Sequence, residues 1–234
     1  MSKKQLSDVR AITFDGDGTL WDFDTAMRDA LIDAATLLND AGLQFEGYSI
    51  SANFLRDVRD EVAAWPIHTS ASMETIRLAS FAESVARCGV QDSNLVQRVY
   101  DIYMHARLAR LRLFPDASSV LRHLHGRYKL ALVTNGNTHP RSVGVEQLLD
   151  AIVIAAEVGY RKPDPMIYHF TLRQLGVSAT RAVHVGDHLH EDVQAAKDIG
   201  MRAVWLDRKA EAQGGIEADA VIGSLNELPG LLER

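Results

Sequence analysis

Short apolar runs, each closed by Gly, Asn or Asp, recur along the chain. "RAITFD" lies near the N-terminus, followed by "KLALVTN" at 129–135, "AIVIAA" at 151–156, "RAVHVGD" at 181–187, "RAVWLD" at 202–207 and "DAVI" at 219–222. Continuous Val, Ile and Ala, without in–out alternation, is the pattern of strands covered on both faces. Helix-length patterns separate most of these runs. "DPMIYHFTLRQLG" sets Met166, Ile167, Phe170, Leu172 and Leu175 roughly along one face and stops at Gly176, and "HEDVQAAKDIG" stops at Gly200. Glycine just past a last helical turn is the expected cap. Strand alternating with helix predicts βαβ units and a parallel sheet.

Residues 24–112 follow another rule. Valine-rich runs are absent, and amphipathic helices fit "DTAMRDALIDAATLLNDAG", "ISANFLRDVRDEVAAW", "SMETIRLASFAESVARCG" and "SNLVQRVYDIYMHARLARLRLF". The pattern therefore predicts an α/β fold: a doubly wound, Rossmann-like parallel-sheet core from residues 1–22 and 114–234, interrupted after its first strand by an inserted α-helical domain at 23–113. "RKAEAQGGIEADA" reads as a surface loop before the last strand.

Composition narrows the function. With 234 residues, 47% apolar and 24% charged, the chain has material for a core plus an appended domain. A formal charge of −6 argues against a phosphate-backbone surface, so no nucleic-acid partner is expected. Cys88 is the single cysteine, which excludes an intrachain disulfide or thiolate zinc cluster and suits a buried structural thiol. "MSKKQLSDVR" lacks the apolar segment of a signal peptide, and no stretch approaches the ~20 apolar residues of a membrane span. A cytoplasmic protein without a membrane partner is expected. The chain carries no signal of oligomeric state.

Polar groups gather where the strands end. Asp15 and Asp17 leave the first strand in "AITFDGDGTLWD", Thr134 and Asn135 another, and Gly186 and Asp187 a third. Lys162 follows a fourth strand in "VGYRKPDP", a loop stiffened by Pro163 and Pro165. Ligands of an open parallel sheet bind at these carboxyl ends. Residues two apart on a strand point the same way, so Asp15 and Asp17 can address one substrate from one side. Converging carboxylates repel without a cation, and a hard oxygen set suits Mg²⁺. Lys162 and the Thr134 hydroxyl suit phosphate oxygens, and aspartate is a known nucleophile for phosphoryl groups. Each motif alone is weak: "GDHLHED" could be a strand-to-helix turn with a capping Asp, and Lys162 a solvated lysine. Their joint order at successive strand ends is far more specific.

In that order, "FDGDGTL", "LVTNG", "GYRKPDP" and "VGDHLHED" resemble the haloacid dehalogenase-like hydrolases over residues about 8–22 and 114–225, and 24–112 resembles that family's helical cap. The resemblance implies Asp15 as nucleophile and Asp17 as general acid and base. It implies Thr134 on the phosphoryl group with Asn135 beside it, and Lys162 bridging Asp15 and phosphate. Mg²⁺ would be held by Asp15, Asp187 and the main-chain carbonyl of Asp17, with Asp192 orienting the lysine or a metal-bound water. The cap would close over the substrate. True dehalogenases of this family lack the second aspartate, so Asp17 favours phosphoryl transfer. Phosphonate hydrolases use a cap lysine, and no lysine lies between Trp21 and Phe114. The expected activity is Mg²⁺-dependent hydrolysis of a small phosphorylated metabolite through an aspartyl-phosphate. "TNGNTHP", "YRKPDPMIYH" and "HVGDHLHEDVQAAKDIGMRAVW" further resemble a bacterial branch acting on flavin mononucleotide and a riboflavin-pathway phosphate. A sugar phosphomutase is the main alternative, with a 2-haloacid dehalogenase or a non-catalytic binding module behind it.

Other residues favour ordinary roles. His184 lies within a strand, and His184, His188 and His190 lack a fourth zinc ligand at obvious spacing. His123 and His125 suit a helix C-terminus, and Asp22 and Asp24 suit capping of the first inserted helix. Trp65, His68 and Arg77 fit packing at least as well as substrate contact.

Overall fold

The computed structural model describes residues 5–68, 71–210 and 217–232. In chain order the elements are β1 (Ala11–Phe14), α1 (Phe23–Asp40), β2 (Gln44–Phe45), β3 (Tyr48–Ser49), α2 (Ala52–Ala63), α3 (Met73–Arg87), α4 (Ser93–Arg110), α5 (Pro115–Leu124), β4 (Lys129–Thr134), β5 (Ala151–Ile154), α6 (Ala155–Val158), α7 (Pro165–Leu175), β6 (Ala182–Gly186), α8 (Ala195–Asp198), β7 (Arg202–Leu206), β8 (Ala220–Ile222) and α9 (Leu228–Leu232). The strands expected from the short apolar runs form one six-stranded sheet in the order β5-β4-β1-β6-β7-β8. All its pairings are parallel. The chain winds from β1 to β4 and β5, then returns to the other side of β1 for β6, β7 and β8. This reversal makes the C-terminal end of β1 the place where a doubly wound sheet binds ligands.

The residues divide into two compact units, 1–22 with 112–234, and Phe23–Leu111. Within the first, α7 lays Ile167, Tyr168, Leu172 and Leu175 on the sheet face that carries Ala11, Ala131, Val153 and Ala182. Thr13 shares that face with Ala11, because alternate residues of a strand point the same way. The second unit packs Ala30, Ala34 and Leu38 of α1 with Phe81 of α3 and Val99 and Tyr103 of α4. Alanines let α1 approach α4 closely, and Phe81 meets Tyr103 edge-on at 5.4 Å. No helix among the described residues is long and apolar enough to cross a membrane.

Two details depart from the sequence pattern. The fourth inserted helix stops at Arg110 and does not run on to Phe114. Its continuation is extended because it pairs with the stretch after β1: Asp22 N–H donates to Arg112 O, Phe114 N–H to Leu20 O, and Trp21 bridges Leu113. The hairpin of β2 and β3 turns on Glu46 and Gly47, both at positive φ (52° and 81°). Glu-Gly is a weak hairpin signal beside Asn-Gly, so the polar stretch "QFEGYS" reads as a loop. Asp24 sits in the first turn of α1, where its charge suits the helix dipole.

An ion-pair cluster braces the loop that follows β1. Arg208 grips Asp116 with both Nη atoms (2.9 and 3.0 Å), and its Nη2 also donates to Thr19 O (2.9 Å). Ser224 Oγ and Leu225 N–H donate to the same carboxylate at 2.6 and 2.9 Å. Burial opposes ionisation of Asp116, but Arg208 and these donors outweigh it and hold its carboxyl below the usual range. A depressed folded-state pKa stabilises above the unfolded-state value, about 4, and its contribution is lost as pH falls through the folded value. Asp116→Ala should therefore cost about 2–4 kcal/mol at neutral pH. In urea titrations of both proteins, the gap between wild type and variant should shrink steadily as pH falls below about 4. A gap that does not change with pH would show that the charge of Asp116 contributes nothing.

Candidate active site

Three strand ends, those of β1, β4 and β6, and the loop after α6 deliver the site; the expected strand at 151–156 stops at Ile154 and gives way to α6, so Lys162 follows a short helix. Asp15 directly follows β1 and is tied to β6 by its N–H donating to Val185 O (2.9 Å). Its carboxylate is buried, and Lys162 Nζ lies 2.5 Å from Oδ1. Lys162, also buried, turns its second contact to Asp192 Oδ1 at 2.6 Å. The lysine loop is clamped to the end of β4 by Asn135. Asn135 Oδ1 takes the Lys162 N–H (2.7 Å), and Nδ2 donates to Lys162 O (2.8 Å) and Glu191 Oε2 (2.8 Å). The side-chain amide of Asn135 is thus committed to holding the lysine. Thr134 Oγ1, buried one residue earlier, accepts the Gly136 N–H at 3.0 Å.

Asp17 sits at the half-buried mouth, where Trp21 Nε1–H donates to its Oδ1 at 2.6 Å. The Trp21 ring lies against Gly16, in space a side chain there would fill. Asp17 Oδ2 faces Gly136: a Cβ on that glycine would meet Oδ2 at 2.5 Å and Thr134 Oγ1 at 3.2 Å. Gly18, at φ +83°, similarly leaves room for the Asp187 carboxylate, and Gly186 for Asp192. Three glycines therefore mark the three places where carboxylates converge.

Beyond β6 the chain makes one wide π turn, Leu189–Gln194, before α8. Such turns recur at functional sites. This one carries Asp192 back beneath the sheet edge, where His188 N–H donates to Oδ2 (2.9 Å) and His184 Nε2 lies 3.1 Å from Oδ1. Tyr168 of α7 donates to Glu191 O at 2.6 Å.

The electrostatics follow from one lysine among several carboxylates. Asp15, Asp187 and Asp192 offer oxygens all within 4.8 Å of one another. Burial opposes the charge on Asp192, but Lys162 and His184 overcome it and hold its carboxyl well below the usual range. Burial pushes Asp15 the other way, with the charges of Asp192 and Asp187 adding to the push against Lys162. Asp187 is exposed as a residue, yet its carboxylate is crowded against the cluster, and desolvation followed by the Asp192 charge raises it to about 6. Lys162 stays protonated: burial disfavours its charge, but Asp15 and Asp192 more than compensate. The group thus lacks positive charge, and its free donors are hard oxygens. Both properties fit a divalent cation such as Mg²⁺.

Asp15, Asp17, Thr134, Asn135, Lys162, Asp187 and Asp192 lie close together at this edge. His188 precedes the turn and His190 lies within it, with His188 Nδ1 accepting from Glu191 N–H (3.1 Å). Among the described residues the possible metal cluster is purely carboxylate. His123 lies 2.7 Å from an Nη of Arg127, and His125 Nδ1 lies 3.1 Å from Leu148 O. In the helical unit Arg77 is buried and Trp65 stacks on His68 at 5.7 Å. Cys88 is half-buried, donates to Ser84 O, and burial pushes its thiol up, away from nucleophilic use. Trp21 and Glu191 do not stand out in the sequence; the one faint signal is a tryptophan four residues past Asp17.

The haloacid dehalogenase-like hydrolase family model matches residues 9–200. The chain belongs to that family of hydrolases. It is 27% identical to human N-acylneuraminate-9-phosphatase, with 97% of this chain and 95% of that protein covered. It is 29% identical to a glyceraldehyde 3-phosphate phosphatase of Methanothermobacter thermautotrophicus, with 85% of each covered. Among solved structures, a 2-haloacid dehalogenase of Pseudomonas syringae pv. Tomato DC3000 superposes with a TM-score of 0.78 at 27% identity, covering 95% of this chain and 97% of that one.

The glycine cradles make a stability prediction. Gly186→Ala drives a methyl group into the Asp192 side chain and should cost about 1–3 kcal/mol. Gly230→Ala, an exposed helical position with nothing near its Cβ, should be neutral or stabilising by up to about 1 kcal/mol. Urea denaturation midpoints compare the two, and equal shifts would contradict the packing of Asp192 on Gly186.

Proposed function

We propose that the chain is a Mg²⁺-dependent phosphatase that hydrolyses a small phosphorylated metabolite through an aspartyl-phosphate. The observation that carries this reading is Asp17. A dehalogenase has no leaving-group oxygen to protonate, whereas here a second carboxyl stands two residues past Asp15. Its Oδ1 is held by the Trp21 indole, and its Oδ2 is turned toward Gly136 and Thr134. The names of the phosphatase relatives support the same choice.

The chemistry balances with this chain's own groups. Asp15 attacks phosphorus while Lys162 offsets its charge and the Thr134 hydroxyl steadies a phosphoryl oxygen. The bond from phosphorus to the leaving oxygen breaks, and protonated Asp17 gives that oxygen its proton. Asp17 then takes a proton from water. The water attacks phosphorus, the bond to Asp15 breaks, and phosphate departs with both carboxyl groups restored. Asp15, Asp187 and the Asp17 carbonyl would hold Mg²⁺, which supplies positive charge for phosphoryl oxygens in a site short of it. Asp192, already accepting from Lys162, His184 and His188 N–H, serves to hold the lysine. Residues 23–113 would act as the cap domain, and flavin mononucleotide is a substrate worth testing with sugar and nucleotide phosphates.

Wild type should release phosphate from p-nitrophenyl phosphate, stop when chelated, and release no chloride from 2-chloropropionate. Chloride release that survives chelation would assign the chain to dehalogenation. Asp15→Asn should keep the fold, lose turnover by more than about a thousandfold, and trap no labelled phosphate; normal turnover would end the mechanism. Asp187→Asn should raise the Mg²⁺ concentration for half-maximal activity more than Asp192→Asn does. The reverse order would exchange their roles.

A further inference from the structure

Thr13 and His184 are fully buried polar residues to which the chemistry above gives no part. They are register partners across β1 and β6, on the face covered by α7. Thr13 Oγ1 lies 2.7 Å from His184 Nδ1, and His184 Nε2 lies 3.1 Å from Asp192 Oδ1. That same Oδ1 receives Lys162 Nζ, which also reaches Asp15. Tyr168 stands edge-on to the imidazole at 5.1 Å and 86°, fixing the plane of the ring.

Buried polar groups cost free energy unless each finds its partner, and here one arrangement satisfies them all. Asp192 is ionised beside Lys162 and can only accept, so His184 Nε2 must carry the hydrogen. Burial, against the pull of Asp192, holds the imidazole below its ordinary pKa, so it is neutral. Nδ1 is then a bare acceptor in need of a donor. The Thr13 hydroxyl is in reach, and its other acceptor, Val183 O at 3.5 Å, is too distant to compete.

We infer that Thr13 and His184 are positioning residues: the Thr13 hydroxyl locks His184 in its Nε2–H tautomer, and that N–H aims Asp192 so that it holds Lys162 against Asp15. The inference rests on the phosphatase reading for the task of Lys162, though not for the tautomer. It makes β1 doubly responsible, carrying the nucleophile and, two residues earlier on the same face, the hydroxyl that sets the far end of its lysine. In Thr13→Val the shape is kept and the donor lost. Nδ1 is then a buried acceptor without a partner, and the ring that aims Asp192 loses the hydrogen bond that fixes it from the sheet side.

Imidazole ¹⁵N spectra of the wild-type protein test this directly, with His184 assigned by its slow solvent exchange and its loss in His184→Gln. The expected state at neutral pH is Nε2 protonated and Nδ1 bare; an Nδ1–H tautomer or an imidazolium would overturn the inference. In p-nitrophenyl phosphate hydrolysis, Thr13→Val should lower kcat by about 10–100-fold with a smaller change in KM, and Thr13→Ser should recover most of the loss. Unchanged kcat in Thr13→Val, or equal loss in the two variants, would also overturn it. If Thr13→Val fails to fold, the wild-type spectrum and Thr13→Ser, which should keep the tautomer, decide the matter. A wild type that releases no phosphate would overturn the phosphatase reading, and the spectrum would still decide on Thr13 and His184.

Discussion

The ammonium group of Lys162, buried between Asp15 and Asp192, is the interaction on which the rest of the site depends. Removing either carboxylate would leave the buried ammonium with a single partner, a larger loss than that of an exposed pair. The lysine comes from a loop, the least rigid kind of element. It is therefore anchored at four points: at its tip by the two carboxylates, and at its main chain by both ends of the Asn135 amide. The doubly wound sheet makes this possible, because it brings the ends of β1, β4 and β6 side by side around the point where the strand order reverses.

The same crowding explains the glycines. A carboxylate cluster this tight leaves no room for side chains on the turns that deliver it, so Gly18, Gly136 and Gly186 each lie where a Cβ would strike an acidic group. Gly16 plays the corresponding part for Trp21, whose indole then reaches back to Asp17. The motif "FDGDGTLW" is one object, with its acids separated by the residues that make space for the acids' partners. Arg208 ties the end of this object, Thr19 O, to Asp116 and so to the start of α5.

Much of this is legible from sequence because it obeys local rules. Short apolar runs became the six strands, and the helix patterns of the inserted segment became α1 to α4. Asp15, Thr134 and Asp187 stand out in the sequence because each ends or follows an apolar strand, whereas Lys162 lies beyond α6 and Asp192 within the π turn, and both stand out by their motifs alone. What stayed hidden depends on contacts between residues distant in sequence. Thr13 reads as an ordinary β-branched strand residue until β6 is set beside it with His184 in register. Asn135 reads as a substrate contact until the lysine loop is seen folded onto both ends of its amide. Trp21 reads as core, and its ring is indeed buried; only its one polar atom has a second use.

A polar chain running from Thr13 through His184 and Asp192 to Lys162 is a costly thing to build under a helix, since every link must be satisfied at once. Its merit is geometric. A lysine held by carboxylates alone could trade one oxygen for another and drift with them, because an ammonium group accepts many directions. Here Asp192 cannot drift. One oxygen is fixed by the main-chain N–H of His188 and the other by a ring wedged against Tyr168. Rigidity is thus transferred from the sheet, where backbone pairing enforces it, to a charged group at the sheet's edge, where solvent and ligand charges would otherwise loosen it. This is the physical reason for placing a histidine inside an apolar strand.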